Sequence, residues 1–491
     1  MAKSALKEAN ITRLQLEPGQ NCWRVEEARQ ASVIVDGEAY FRYLRHAMAK
    51  AKRRIILAGW DFDTRVEMND TEKDLQGPLK VGDFIDWLVA RNPDLQIYIL
   101  RWDVGAIKSF ARGSMFFKVL KWQFHPRIHL KLDGQHPTGA AQHHKIVAID
   151  DDVAFCGGID VTAGRWDTRT HEPGHRYRKQ PNGEDHSPWH DASLAVQGPV
   201  ATALASFAQS RWHKAGGKDM IEANGSQDCW PDDLKPDFKE VDIGIARTQP
   251  EMDDQEDVRE IEQLYIDLIR SAKRIIYAES QYFASRHIAA AIAERLQEQD
   301  GPEIVVLNPI SSEGWLEEQV MDTARARIFA ALQKRDRFNR LRLYHPVNEA
   351  GEEIYVHAKI VIIDDQVIRI GSSNINNRSM GLDTECDLVI DAGDDDEGSA
   401  AREQISRIRN GLLAEHLGSS EKNIAEKFEQ TGSLMETIQL SRKPGRTLRD
   451  YQVPNLDDTE KWLADNEILD PESPDEMFAG ITKRGWFKRL G

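Results

Sequence analysis

The sequence predicts an α/β protein made of two similar halves, each with a mixed central sheet flanked by helices, packed with pseudo-twofold symmetry. Three observations carry this. "AQHHKIVAIDDDVAFCGGID" (141–160) returns almost unchanged as "YVHAKIVIIDDQVIRIGSSN" (355–374), 214 positions later. "AKRRIILAGWDF" (51–62) is matched by "AKRIIYAESQYF" (272–283). Around these repeats helical and strand-like patterns alternate, which favours layers of helices on a mixed sheet.

Each half opens on a helical pattern, "EAYFRYLRHAM" in the first and "IEQLYIDLIRS" in the second. A short β-branched run follows and reads as a buried strand. A second helix and a second strand come next ("LQIYILRWD", "PEIVVLNP"), and then the repeated phrase. The halves are placed at 1–245 and 246–415, with the acidic "QPEMDDQED" (249–257) as connector. A polar, Pro- and Gly-rich loop, 170–188, interrupts only the first half. Residues 416–491 have no counterpart and are expected to pack on the two halves as an extension.

Composition narrows the function. Hydrophobic content of 40% and charged content of 30% indicate a soluble globular chain. The net charge of −17 opposes a nucleic-acid-binding surface. No apolar run approaches the ~18 residues of a membrane span, and "MAKSALKEANITRL" lacks the apolar core of a secretory signal. Cys22, Cys156, Cys229 and Cys386 are scattered and form no CxxC, so neither a disulfide framework nor a zinc framework is expected. A cytoplasmic monomer, peripheral to membranes at most, is the expectation.

Alternate side chains of a strand share a face, so His143 and Lys145 are expected on one face with His144 opposite, and His357 and Lys359 likewise. The apolar runs IVAI and IVII follow, then Asp150 and Asp364 in acidic turns, then the returning strands VAFC and VIRI. Each phrase is thus a hairpin with a His and a Lys at its mouth. Gly157 and Gly158 in one copy, and Gly371 in the other, are small enough to let backbone N–H groups approach a ligand oxygen. A duplication kept only for its core would retain Val and Ile. It would not also retain His and Lys, so the pairs are read as functional.

H-x-K-x4-D followed by a small-residue turn resembles the signature of the phospholipase D superfamily. "GGIDVTAGRWDTRTH" (157–171), "WHDASLAVQGP" (189–199), "ESQYF" (279–283) and "GSSNINNRSM" (371–380) are similar to segments of the eukaryotic-type, phosphatidylcholine-cleaving branch. The resemblance covers about residues 20 to 415 and implies the phospholipase D fold. It implies catalytic His143, Lys145 and Asp150 in one copy and His357, Lys359 and Asp364 in the other. Gly157, Gly158, Asp160, Ser372 and Asn374 are expected to bind phosphate or support it; Asp160 stands where the family motif often has Asn.

One His attacks phosphorus and the other protonates the departing alcohol, while Lys145 and Lys359, helped by Ser372 and Asn374, hold the nonbridging oxygens. By resemblance His143 is the nucleophile and His357 the acid. The scheme uses no metal and no cofactor. The phosphohistidine is opened by water or by another alcohol, so transphosphatidylation is expected beside hydrolysis. Each catalytic His also needs an acid on its second ring nitrogen. Asp150 and Asp364, at the far end of a strand, are better suited to tie the turns. The resemblance implies instead that Asp191 pairs with His357 and Glu385 with His143, crosswise between the halves.

Other signals are discounted. "HEPGH" (171–175) matches the HExxH zinc-protease expression, but that motif needs a helix, and Pro173-Gly174 breaks one. His186 and His190 repeat an H-x3-H spacing spoiled by Pro188, and a substrate-loop or structural role is expected for them. "MFFKVLKWQF" (115–124) mixes aromatics with Lys as an interfacial helix does, and is assigned to the core. The terminal "GITKRGWFKRLG" is basic and amphipathic, suited equally to lipid contact and to a solvated end. The competing functions are a cardiolipin-synthase-like phosphatidyltransferase, a nuclease of the same superfamily, and an inactive lipid-binding module.

Overall fold

A computed structural model of the chain describes residues 13–68, 76–103, 114–223, 228–252, 255–311, 315–393 and 398–454. Through the first half run β1 (Arg24–Val35), α1 (Gly37–Lys50), β2 (Arg54–Gly59), α2 (Val81–Arg91), β3 (Gln96–Trp102), α3 (Ser114–Gln123) and β4 (Ile128–Asp133). They are followed by the hairpin β5 (Ile146–Ile149) and β6 (Val153–Gly157), then β7 (Trp189–His190), β8 (Ala192–Gln197) and α4 (Pro199–Lys214). The second half repeats this order with an added two-residue strand before its first helix and another before the hairpin instead of after it. It opens at residue 238, so the boundary expected at 245/246 falls inside its first strand. It has β9 (Phe238–Gln249), β10 (Val258–Arg259), α5 (Glu260–Ser271), β11 (Ile275–Glu279), α6 (Arg286–Gln297), β12 (Glu303–Leu307), α7 (Trp315–Arg335) and β13 (Leu341–Val347). Then come β14 (Tyr355–Val356), the hairpin β15 (Ile360–Ile363) and β16 (Val367–Gly371), α8 (Asn377–Gly381) and β17 (Glu385–Asp391). The chain closes with α9 (Ser399–His416), α10 (Glu421–Thr431), α11 (Leu434–Ser441) and β18 (Thr447–Asp450).

The sheets of the two halves are continuous. Outward from the antiparallel β1/β9 pair the order is β1-β8-β6-β5-β2-β3-β4 on one side and β9-β17-β16-β15-β11-β12-β13 on the other, with β18 at the far edge. The β1/β9 register, Arg24 opposite Ile245, is the seam about which the halves repeat. Alternation along each strand feeds two faces. In β2, Ile56 and Ala58 join one apolar cluster with α4 and α9–α11, while Ile55 and Leu57 join another with α1 and α2. The equivalent strand β11 sends Ile275 and Tyr277 to the first cluster and Ile276 and Ala278 to a third, under α5–α7. The result is a three-layer α/β/α sandwich, as the alternating pattern predicts.

Both hairpins turn through positive φ at their two central residues, 50° and 57° at Asp150 and Asp151, and 52° and 59° at Asp364 and Asp365. That is the type I′ requirement, and Asp tolerates it. All four cysteines are free and buried. Among the described residues no helix is long and apolar enough to cross a membrane.

The assignment of 115–124 to the core needs correction. Met115 and Trp122 are buried, but Phe116, Phe117, Leu120 and Phe124 are exposed at 41%, 71%, 42% and 83%. The 3.6-residue period gives this stretch two apolar stripes, and the described residues cover only one. The terminal "GITKRGWFKRLG" lies outside the described residues.

Candidate active site

The two H-x-K runs sit just before β5 and β15 rather than inside them. Their backbone amides turn away from their own hairpins and bond to the opposite half. His143 and His144 N–H both donate to the Thr384 carbonyl at 2.9 Å, and His357 and Ala358 N–H donate to the His190 carbonyl at 2.7 and 3.2 Å. The same contact is made twice, once in each direction: Gln142 bridges Thr384, and Val356 pairs with His190 in the small β14/β7 ladder. Each run therefore lies beside the residue that precedes an acid of the other half.

Those acids meet the histidines crosswise. His143 Nδ1 stands 2.9 Å from both carboxylate oxygens of Glu385, and His357 Nδ1 stands 2.7 Å from Asp191 Oδ2. The acids are held in turn. Ser379 Oγ donates to Glu385 Oε1 at 2.7 Å, Ser372 Oγ to Oε2 at 2.5 Å, and the Ala192 N–H to Asp191 Oδ1 at 2.8 Å. Burial alone would raise the pKa of both acids. The charge and hydrogen bond of His143 outweigh it for Glu385, as those of His357 do for Asp191, and each is held at about 2. Both acids are thus anionic and can stabilise an imidazolium. His357 is itself pulled well below the usual imidazole value, by burial and then by the Lys359 ammonium.

The lysines converge and are not equivalent. Lys145 Nζ donates to the His143 carbonyl at 2.6 Å and stands 3.2 Å from Asp160 Oδ2. Lys359 Nζ donates to the His357 carbonyl. The position that repeats Asp160 is the neutral Asn374, which donates to Gln281 Oε1 at 3.3 Å and whose buried Oδ1 makes no hydrogen bond. Burial, with the charge of Lys145 adding to it, brings Lys359 down to about 7 against the pull of Asp191 and Glu385. The second half thus presents a completely buried ammonium half-way to losing its proton, a site that favours an anion.

Several expected phosphate-site residues serve the acids instead. Ser372 spends its hydroxyl proton on Glu385 and accepts the Cys386 N–H at 3.0 Å. The Gly158 and Gly371 amides are used within the sheet, donating to the Ala192 and Lys359 carbonyls. What these glycines supply is space. A Cβ on Gly158 would lie 2.1 Å from Asp191 Oδ1, and one on Gly157 2.4 Å from Ser193 Cα. Asp150 and Asp364 are at the far end of the hairpins. Each carboxylate accepts three successive backbone amides, Lys52 to Arg54 for Asp150 and Lys273 to Ile275 for Asp364. They pin the turns to the starts of β2 and β11 and are remote from the histidines.

Sequence reasoning missed Ser379, although it lies inside the quoted "GSSNINNRSM". It also missed the aromatic wall beside His357. Trp189 stacks on Tyr355 at 4.7 Å, lies 5.0 Å from the His357 ring and carries the Arg165 guanidinium 4.0 Å above it. Each side of this wall comes from a different half, and no spacing along the chain announces it.

A family model described as phospholipase D matches residues 333–464. The phospholipase D alpha 1 of Carica papaya is 26% identical over 509 residues, which cover 81% of this chain and 58% of that protein. The phospholipase D alpha 1 of Zea mays is 25% identical over 571 residues, covering 88% and 68%. The chain thus spans about 58% of the length of the first of these relatives. Among solved structures, a phosphatidylserine synthase of Haemophilus influenzae has the same fold. It aligns with a TM-score of 0.52 at 12% identity over 85% of this chain and 96% of its own.

Proposed function

Because the chain belongs to the phospholipase D superfamily, we propose that it cleaves the head-group phosphodiester of phosphatidylcholine-type glycerophospholipids through one active site shared by both halves. The observation that carries this reading is the pair of crosswise His–carboxylate dyads facing two converging lysines. The lysines and the Asn374 amide take the nonbridging oxygens. His143 Nε2 forms a bond to phosphorus as the bond to the head-group oxygen breaks, and that oxygen takes a proton from His357. Burial and Lys359 disfavour the His357 imidazolium in the empty site, and the Asp191 carboxylate and the bound phosphodiester anion together stabilise it. Glu385 and Asp191 stabilise the charge on each ring in turn. His357 then deprotonates a water, whose oxygen displaces His143 and releases phosphatidic acid. These steps draw on no metal ion.

The test uses pure protein, mixed phospholipids and a primary alcohol, with product identification. Phosphatidic acid and the phosphatidyl alcohol should both form, because a phosphohistidine is open to either nucleophile. A yield of phosphatidic acid alone at high alcohol concentration would refute the covalent intermediate. Conversion only in the presence of a second lipid alcohol would favour the synthase reading.

The same geometry sets a pH dependence. Lys359 sits at about 7 in the free site, and a bound anion raises its pKa toward the ordinary lysine value of about 10.4. The extra affinity this supplies is complete below pH 7 and is lost as pH rises above it. Inorganic phosphate should therefore bind progressively more weakly above pH 7 by calorimetry, with net proton uptake in that range. Lys359→Met should flatten the profile, and an unchanged profile would contradict the assignment.

The uncovered stripe of α3 supplies the membrane contact. Lys145 precedes Ile146, which pairs with Ala58, and Gly59 pairs with Arg101, so the C-terminal end of β3 is on the same edge of the sheet as the site. α3 follows β3 and feeds β4 at the opposite edge, which directs Phe116 and Phe117 toward the site edge. Full burial of a Phe or Leu side chain is worth roughly 1.5–3 kcal/mol, against about 1 kcal/mol per Lys at an anionic surface, so apolar insertion dominates. Phe116→Ser with Phe117→Ser should weaken sedimentation with phosphatidylcholine vesicles by about 10-fold or more. Cleavage of a monomeric short-chain substrate should be unchanged; equal vesicle binding would remove α3 from the contact.

A further inference from the structure

His171 and His190, set aside on sequence grounds, are completely buried with ring centroids 6.0 Å apart. With Asp36 and Glu415, also buried, they bring one ligand-type atom each within 4.8 Å of one another. His190 Nδ1 stands 2.7 Å from Glu415 Oε1 and 3.1 Å from Asp36 Oδ1. His171 Nε2 stands 3.1 Å from the same Glu415 oxygen and 3.8 Å from Asp36 Oδ2. Four ligands about 2.0–2.1 Å from a tetrahedral ion would be roughly 3.3 Å apart, and these separations straddle that value.

The outer ring nitrogens are both engaged by carboxylates, His171 Nδ1 with Asp167 at 3.0 Å and His190 Nε2 with Glu279 at 2.7 Å. This arrangement fixes the tautomer of a metal-bound imidazole and turns its other lone pair inward. The inner nitrogen of His190 and the Oδ2 of Asp36 make no hydrogen bond, although oppositely charged groups stand close to both. His171 Nε2 is hydrogen-bonded to Glu415 Oε1 at 3.1 Å, but His190 Nδ1 and Asp36 Oδ2, close to their neighbours and not aligned on them, are what a shared central partner produces.

Charge gives the same answer. Four buried carboxylates, Asp36, Asp167, Glu279 and Glu415, are faced by two guanidiniums, Arg169 on Glu415 and Arg178 on Asp167. With neutral rings the cluster lacks two positive charges. Two ring protons or one divalent ion would supply them; a proton on His190 Nδ1 would face Glu415 Oε1 at 2.7 Å, and only the ion also gives Asp36 Oδ2 a partner. Asp36 holds φ 66°, ψ 159° and His171 holds φ 47°, conformations unfavourable for residues with a Cβ and found where a site demands them. A cavity of about 400 Å³ lined in part by Asp36, Asp167 and Arg169 lies beside the cluster.

We propose that Asp36, His171, His190 and Glu415 form a closed, structural site for one divalent transition-metal ion, zinc by its two-imidazole, two-carboxylate chemistry. The ion ties the 170–188 loop and α9 to β7, one residue before the Asp191 that orients His357. It does not touch the phosphate. Neither the HExxH run nor the H-x3-H spacing marks this site. The ligands come from four separate segments instead.

The full chain, purified without chelator from zinc-supplemented medium, should carry about one zinc ion per molecule by mass spectrometry. X-ray absorption should show two imidazoles among the ligands, and cobalt exchange should give tetrahedral visible bands. His171→Ala and Glu415→Gln should lose the metal, while His143→Ala should keep it, so failure here is distinguishable from failure of the catalytic reading. Should the ligand variants not fold, the absorption spectrum of the unmodified protein decides. Folded, metal-free protein whose Tm is unmoved by zinc, manganese or calcium chloride would overturn the proposal, leaving a hub of two imidazoliums. So would zinc retained in folded His171→Ala protein.

Discussion

His143→Ala and His357→Ala are each expected to lower turnover by about 10,000-fold or more, and the double variant to fall little further than either. Residues that act as one unit lose nearly the whole effect on the first removal. The unit is visible in the structure, because each His is held by an acid from the other half and the two dyads flank the same pair of lysines. Both variants should fold, since neither ring belongs to an apolar cluster and the backbone amides of both runs keep their carbonyl partners. Turnover within about ten-fold of wild type in either single variant would mean that the halves work separately.

Asp191→Asn and Glu385→Gln are expected to cost about 100-fold or more in turnover at pH 7 with little change in KM, as a wrong-tautomer variant does. In each acid the charge is maintained against complete burial by the facing imidazole, so the carboxylate and its ring stabilise one another. An amide keeps the shape, loses the charge, and can present an N–H to the ring nitrogen in place of an acceptor. Because the acid acts through its own histidine, Asp191→Asn should add almost nothing to His357→Ala, while Asp191→Asn and Glu385→Gln should combine to little more than the worse of the two. Equal losses in KM and kcat, or full additivity with the histidine variants, would show a general structural effect in place of ring orientation.

Much of this is legible in the sequence. The repeat, the strand-and-helix alternation and the two H-x-K hairpins are short-range signals: side-chain periodicity, β-branched runs and acidic turns act over a few residues. The pairing of Asp191 and Glu385 was legible only through resemblance, because 166 and 242 residues separate the partners. Gly158 could be recognised as a place where small size matters. Whether a ligand oxygen or the Asp191 carboxylate used the space depended on which strand lies alongside.

By itself the sequence determined that this chain folds as two α/β halves with a His and a Lys at the mouth of each hairpin. Only the tertiary structure decided that Ser372 serves Glu385, that Asp150 and Asp364 serve the turns, and that α3 leaves an aromatic stripe uncovered. It alone gathered Asp36, His171, His190, Glu279 and Glu415 into one buried cluster. The reason is physical. Local propensity and period specify which face of an element is apolar. What meets that face is set by strand pairing across hundreds of residues, above all the β1/β9 seam that makes two sheets one.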